Sequence, residues 1–304
     1  MKALAALVLI ASAAQAADFA GAFLASGLGT RGLGMGAFVA MADDASSPYW
    51  NPAGLARLRG KAVQTSIQSL SHDRRQNSAS FALNARGDMG FGFAWSHASV
   101  GEIDGRTASG QYTGPISDRA NTFIVAVGRT LGPRLALGFT VKIFDQNIDV
   151  PFSPQAKASG SGLDLGAQFR IADHTWLGAG VRNLGAKLDW KVSLTNQQSS
   201  STEDPLPRVL ILGAAHRLFS SLTLGVEFRS GNAQSSHLSA EWILSPLLTL
   251  RGGLYHLKTE DQMPFTAGLT LSPMRVETLQ FHYAYLTDPL GPGGRKSVGL
   301  ALAF

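Results

Sequence analysis

Met89-Gly90-Phe91-Gly92-Phe93-Ala94-Trp95-Ser96 is the stretch whose reading decides the fold. Read with a period of two, it sets Met89, Phe91, Phe93 and Trp95 on one face of an extended strand and Gly90, Gly92, Ala94 and Ser96 on the other. Large apolar side chains backed by small ones suit a wall with lipid on one side and a crowded lumen on the other. The pattern returns in Leu135, Leu137, Phe139, Val141 and Ile143 against Ala136, Gly138, Thr140 and Lys142. It returns again in Leu222, Leu224, Val226 and Phe228 against Thr223, Gly225, Glu227 and Arg229. Each time the charges fall on the face away from lipid.

From about Lys61 onward the chain reads as ~14 such segments, an even number as single-chain bacterial barrels require. They span 62–70, 77–84, 88–98, 119–130, 134–147, 161–171, 174–183, 206–217, 220–230, 235–244, 247–258, 263–272, 275–286 and 295–304. The links test the pattern independently, because outer-membrane barrels have short periplasmic turns and longer outside loops. Short links fall at Arg86-Gly87, Gly132-Pro133, Ala172-Asp173, Phe219-Ser220, Ser245-Pro246 and Ser272-Pro273, and long polar ones at 99–118, 148–160, 184–205 and 287–294. The expectation is an all-β, transmembrane antiparallel β-barrel with a small N-terminal plug and both mature termini in the periplasm. A soluble sandwich would cover its outer faces with charge, whereas here the face consistently free of charge carries the large apolar residues.

Composition agrees. Of 304 residues 45% are hydrophobic, only 15% are charged and 34 are glycine, a balance that favours a barrel wall over a water-facing surface. No run reaches the ~18 apolar residues of a spanning helix. The start has the parts of a secretory signal: Lys2, an apolar run from Ala3 to Ala14, and small residues at Ala14-Gln15-Ala16. Residues 1–16 are therefore read as signal peptide, 17–60 as plug and 61–304 as barrel. Cysteine is absent, which removes thiol chemistry, disulfides and a lipid-attachment cysteine. The formal charge of +5 comes from interspersed residues rather than a basic stripe, so nucleic acid is not an expected partner.

Residues 18–60 do not alternate. Gly27, Gly29, Gly32, Gly34 and Gly36 surround Thr30-Arg31, followed by Asp43-Asp44-Ala45-Ser46 and Tyr49-Trp50-Asn51-Pro52-Ala53-Gly54-Leu55. Gly27 to Gly32 has the spacing GxGxxG, but neither a preceding strand nor a βαβ unit accompanies it, and a dinucleotide site is rejected. The glycines permit the tight turns and close backbone approach that a segment threaded into a narrow lumen needs. Asn51 reads as a helix N-cap with Pro52 at the first helical position. The plug motif is thus Gly29, Arg31, Gly32, Gly34, Asp43, Asp44, Ser46, Asn51, Pro52, Ala53 and Gly54.

The run from Gly29 to Leu55 resembles the N-terminal motif of the PorV/PorQ-like family of outer-membrane proteins, relatives of FadL-type hydrophobic-compound transporters, in its Asp-Ala-Ser and Asn-Pro-Ala-Gly elements. The resemblance implies a lumen blocked by a hatch that contains Asn51-Pro52-Ala53. The chain carries Ala37 where that family usually has a further glycine, and it is compact for a FadL-type transporter. The final strand, with Val298, Leu300, Leu302 and Phe304 alternating to the end, resembles the signature by which the barrel-assembly machinery reads outer-membrane proteins.

The sequence holds no enzymatic constellation: Ser96, His97, His216 and His282 are scattered, and neighbours in a strand point to opposite faces. Neither catalytic residues nor a metal or cofactor is expected. Asp164, Arg170, Glu227, Arg229, Glu241 and Arg251 are expected to form a lumen charge ladder bracing wall against plug, since charges in a crowded lumen need partners. Two functions stay open. One, implied by the resemblance, is a component of a type IX-like secretion complex with secretion-system protein partners. The other is a FadL-type passive transporter of hydrophobic compounds such as long-chain fatty acids.

Overall fold

The computed structural model describes residues 21–85, 87–151, 155–193, 199–231, 234–257, 264–273, 278–288 and 294–304. The signal segment expected at 1–16 lies outside them. After a 3-10 turn at Ala22–Ser26 come two short helices, α1 (Thr30–Met35) and α2 (Ser47–Trp50), then a 3-10 helix at Pro52–Arg57. Strands follow: β1 (Lys61–Ser69), β2 (Arg74–Ala85), β3 (Met89–Arg106), β4 (Tyr112–Leu131), β5 (Leu135–Asp149), β6 (Ala156–Ala172), β7 (Thr175–Ser193) and β8 (Ser199–Pro205). The remaining strands are β9 (Val209–Phe219), β10 (Leu222–Ser230), β11 (Ser235–Ser245), β12 (Leu248–Leu257), β13 (Phe265–Leu271), β14 (Leu279–Leu286) and β15 (Arg295–Ala303).

Every pairing is antiparallel, and the sheet closes on itself: β1 pairs with both β2 and β15, and the β6–β7 ladder joins its two ends. Of the fifteen strands, β8 pairs only with β7, beyond the wall, so fourteen staves form the barrel. Closure satisfies every stave's ladder groups, the condition for a sheet to cross lipid. The seam is sealed at the chain's end: Phe304 N donates to Lys61 O at 2.9 Å and Lys61 N to Phe304 O at 2.7 Å.

Outward positions carry Phe91, Phe93, Val125, Phe139 and Leu165, all exposed, and inward positions carry small residues. Two inward glycines show why. A Cβ on Gly138 would run into Pro52, and one on Gly166 would run into Asn51 and Pro52, so the plug sits where the wall has no side chain.

The long links at 99–118 and 184–205 are not as read from sequence. β3 and β4 continue to Arg106 and from Tyr112, with register shifts between Val100 and Ile103, and β7 continues to Ser193 and pairs with β8. These extensions rise beyond the apolar band, where charges replace the large apolar residues; on β7 the alternation persists, with Ala186 and Leu188 buried and the Lys187 and Asp189 side chains half-exposed. At Arg182 the wall changes partner: β7 pairs with β9 up to Arg182↔Val209 and with β8 from Lys187↔Pro205. Between them Asn183 takes φ 60° and the β6–β7 register shifts.

Both mature termini were expected in the periplasm, and the N-terminal one lies outside the described residues. Phe304 lies beside the short turns, and Gly21, the first described residue, packs against Leu206 toward the long-link end. The plug therefore runs down the lumen from the long-link end before joining β1.

The purified protein should run faster on an SDS gel unheated than boiled, because a closed ladder resists detergent; identical migration would contradict the barrel. Deleting Phe304 removes both seam bonds and the terminal aromatic, and should leave precursor in the periplasm. Normal surface exposure of that variant would show that the terminal residue is not the assembly signal.

Candidate functional site

The plug is irregular backbone inside a closed wall, and its polar groups are met by inward side chains of the barrel. Glu227 on β10, almost fully buried, accepts from the backbone N–H groups of Phe38 and Val39, each at 2.7 Å. Arg229, two residues on and therefore on the same face, bonds Glu227 and donates to Gly36 O at 2.7 Å. Gln168 donates to Val39 O and Ala42 O, Thr140 to Pro48 O, and Thr266 to Gly34 O. Thr30 and Ser297 share a hydroxyl bond at 2.8 Å.

Asn51 does more than the cap read from sequence. Its Oδ1 accepts from Ala53 N at 3.2 Å, capping the helix that starts at Pro52, which is a 3-10 turn. Its Nδ2 donates to Val39 O at 2.8 Å and to Ala167 O at 3.0 Å, so one fully buried amide ties two plug segments to β6. Among the other motif residues, Gly29 caps α1 with φ 79°, Gly32 lies against the Trp50 indole, Gly34 against Gly268, and Gly54 against the Ala42 carbonyl. Ala53 is fully buried against Ala56 and Ala136. Asp44 accepts from the backbone N–H and hydroxyl of Ser46.

The expected charge ladder resolves into separate groups. Arg31 pairs with Asp43 at 2.7 Å, Asp44 at 3.3 Å and Glu241 at 3.1 Å, and Arg251 joins Glu241 at 2.6 Å. Burial alone would lower the Arg31 pKa, but Glu241, Asp43 and Asp44 outweigh it and raise it well above its ordinary value. The guanidinium therefore stays charged at every accessible pH. Asp164 pairs with Lys142 at 2.7 Å and accepts from Asn183 N. Arg170 stands apart, its nearest bond a 3.5 Å contact to Pro133 O. Burial lowers the pKa of Arg57 in the plug, Arg170 adds to that, and Asp43 opposes both. The histidines hold structural bonds: His97 to Asn121, His216 to Thr175, His282 to Thr270.

The plug separates two cavities. The one toward the short turns, about 410 Å³, is polar and lined by Arg31, Asp43, Asp44, Glu241 and Arg251. The one toward the long links, about 290 Å³, is mostly apolar, with Leu24, Leu33, Tyr49, Trp50, Tyr255 and Leu286 on its walls. Trp50 forms its floor. The ring donates Nε1–H to Leu28 O, packs edge-on against Phe38 and Tyr49, and has the Arg182 and Arg229 guanidiniums 5.5 and 5.6 Å from its centre. Arg182 also stacks on Tyr49 at 4.6 Å and donates to Trp50 O. Sequence reading missed Tyr49, Trp50, Lys142, Gln168 and Arg182 as site residues; for the three wall residues the available signal was a polar side chain at an inward position.

No family model matches the chain, and no curated protein does. Solved structures do match in fold. The Pseudomonas putida toluene transporter TodX aligns over 94% of this chain and 98% of its own, with TM-score 0.63 and 13% identity. A Pseudomonas aeruginosa FadL homologue aligns over 90% of this chain and 95% of its own, with TM-score 0.64 and 12% identity. The monoaromatic hydrocarbon channel CymD covers 91% and 98%, TM-score 0.64, 11% identity. The FadL side of the resemblance read in Gly29–Leu55 is thus matched in fold, while nothing here adds to its PorV/PorQ side.

Removing the Glu227 carboxylate leaves two plug N–H groups and Arg229 without their partner. Breaking a buried charged contact costs roughly 3–5 kcal/mol. Glu227→Ala should therefore raise steady conductance in planar bilayers while leaving the heat-dependent gel shift. Asn51→Ala should act in the same direction and by more than the ~1 kcal/mol of a lost cap, because two further buried bonds go with it. Unchanged conductance in both would show that these bonds do not hold the plug.

Proposed function

We propose that the chain is an outer-membrane channel that admits small hydrophobic compounds, and that the cavity above Trp50 is where they bind. The observation that carries this reading is the cavity itself: a largely apolar, aromatic-floored chamber on the long-link side of a plug that closes the lumen beneath it. A general porin has no use for such a closure. A scaffold that only binds other proteins has no use for such a chamber. The shared fold with TodX, CymD and a FadL homologue supports the same reading. In this reading the long links face outside, the short turns and Phe304 face the periplasm, residues 1–16 are the export signal and the Val298–Phe304 alternation is the assembly signal. The alternative of a type IX-like secretion component rests on the Gly29–Leu55 resemblance alone, and no feature of the site favours it.

Passage requires the plug to shift or the wall to part. The ladder is interrupted beside the cavity, where β7 exchanges β9 for β8 and Arg182, Asn183, Pro207 and Val209 line the chamber. That seam is where a lateral exit would cost fewest ladder bonds.

Cells that express the protein in a host lacking its own hydrophobic-compound channel should take up toluene several-fold faster than the empty host. Intact protein should show little steady ion conductance, and protein lacking 17–60 should open, since a barrel of ~14 strands holds water once emptied. Uptake equal to the empty host, from protein that shows the heat-dependent gel shift, would overturn the channel reading.

A further inference from the structure

The cavity above the plug carries a charge pattern that a neutral hydrocarbon does not need. Four cationic side chains face it, Lys142, Arg182, Arg229 and Arg295, and among the described residues no aspartate or glutamate lines it. The carboxylates that balance three of them lie behind the lining: Asp164 with Lys142, Glu227 with Arg229, and Asp288 with Arg295 at 3.3 Å. All three carboxylate side chains are buried. The cations thus show the chamber their faces, and their counter-charges are withheld from it.

Arg182 has no carboxylate within ion-pairing distance among the described residues. One of its five N–H groups is bonded, to Trp50 O at 2.9 Å, and its plane stacks on Tyr49. A second group is also unfilled: His237, buried at the chamber wall, bonds Ser235 through Nε2 at 2.9 Å, while its Nδ1 has no hydrogen-bond partner among the described residues. Unmatched polar groups in a buried wall are uncommon and call for a ligand or water. Low-dielectric walls with one sign of charge concentrate the opposite charge. At about 290 Å³ the chamber stands at the small end of ligand pockets, ~300–1,000 Å³. Its aromatic surfaces, Tyr49, Trp50 and Tyr255, offer flat faces to a ring.

We propose that this cavity binds a small aromatic monocarboxylate, of the size of a substituted benzoate, with its carboxylate drawn to Arg182 and its ring against the aromatic floor. The inference rests on the channel reading and narrows its substrate from apolar compounds in general to single-ring acids. A planar guanidinium suits a carboxylate because it can donate two parallel N–H bonds. A neutral hydrocarbon seated against Arg182 would instead displace water from an unmatched cation and leave that desolvation uncompensated.

Calorimetric titration of the purified full-length protein in detergent at pH 7 tests this, with three probes of one shape: 4-isopropylbenzoate, its neutral amide, and 4-isopropyltoluene. The benzoate should bind on the order of tenfold more tightly than the amide, as charge-assisted bonds imply. Arg182→Met should bring that ratio toward one, and Arg182→Lys should restore part of it. Equal affinity for all three probes would overturn the inference and leave the channel reading in place. Binding of none would overturn both. The comparison of probes on the unaltered protein needs no variant, so a misfolded Arg182→Met would not blunt it.

Discussion

The structure depends on one constraint: no backbone polar group can be left unpaired inside a membrane. For the wall, the answer is closure, completed by the two bonds between Lys61 and Phe304. Closure creates a second problem. Fourteen staves enclose a lumen too wide to be filled by their own inward side chains, most of which are small. The chain fills it with its own preceding segment, whose short helices and turns cannot satisfy their own donors and acceptors. Inward residues of the wall supply what is missing, and Glu227, Gln168, Thr140 and Thr266 are therefore less a lining than the other half of the plug's hydrogen bonding.

Wall and plug accordingly share one set of compromises. Inward glycine at 138 and 166 sacrifices side-chain packing so that Pro52 and Asn51 can approach the strands. Buried charge is tolerated where it is matched on the spot: Arg31 by three carboxylates, Lys142 by Asp164. Buried ion pairs add little net stability compared with apolar packing, yet removing one partner is costly. Such pairs fix position. Arg31 on α1 reaches Glu241 on β11 and so ties the plug to the wall, while Asp43 and Asp44 tie α1 to the next segment of the plug.

The sequence was legible wherever one strand face met lipid. Phe91, Phe93, Phe139 and Leu224 alternate with small residues because a one-residue slip would turn them inward, and every stave could be located on that basis. Above the apolar band the signal changes: in Ser99–Arg106 and Ala186–Ser193 charges such as Asp104, Arg106, Lys187 and Asp189 stand in place of the large apolar residues, so these stretches read as loops although Ala186 and Leu188 still alternate inward on β7. In the plug, glycine and Asn51-Pro52 mark turns through local backbone chemistry, which sequence shows directly. What it does not show is partnership across the fold. Gln168 could be placed on an inward face, but its acceptors are carbonyls at Val39 and Ala42 in irregular backbone, and no spacing rule points to them. Trp50 reads as a core aromatic until two arginines, from the strands on either side of β9, are found over its ring.

The plug also divides the lumen into chemically unlike halves. Below it, Asp43, Asp44 and Glu241 meet Arg31 and Arg251 in a polar chamber; above it, an apolar chamber presents cations and, among the described residues, no acid. An apolar solute that gains by entering the upper chamber would lose that gain in the lower one, where desolvating paired charges is costly. The lower half is thus a barrier even without steric blockage, and straight passage down the axis is the unfavourable route. A solute held against Trp50 instead lies beside the β7 seam, where the ladder is already interrupted and lipid is the nearest apolar phase. On the channel reading, the plug that fills the lumen would therefore direct an apolar cargo sideways.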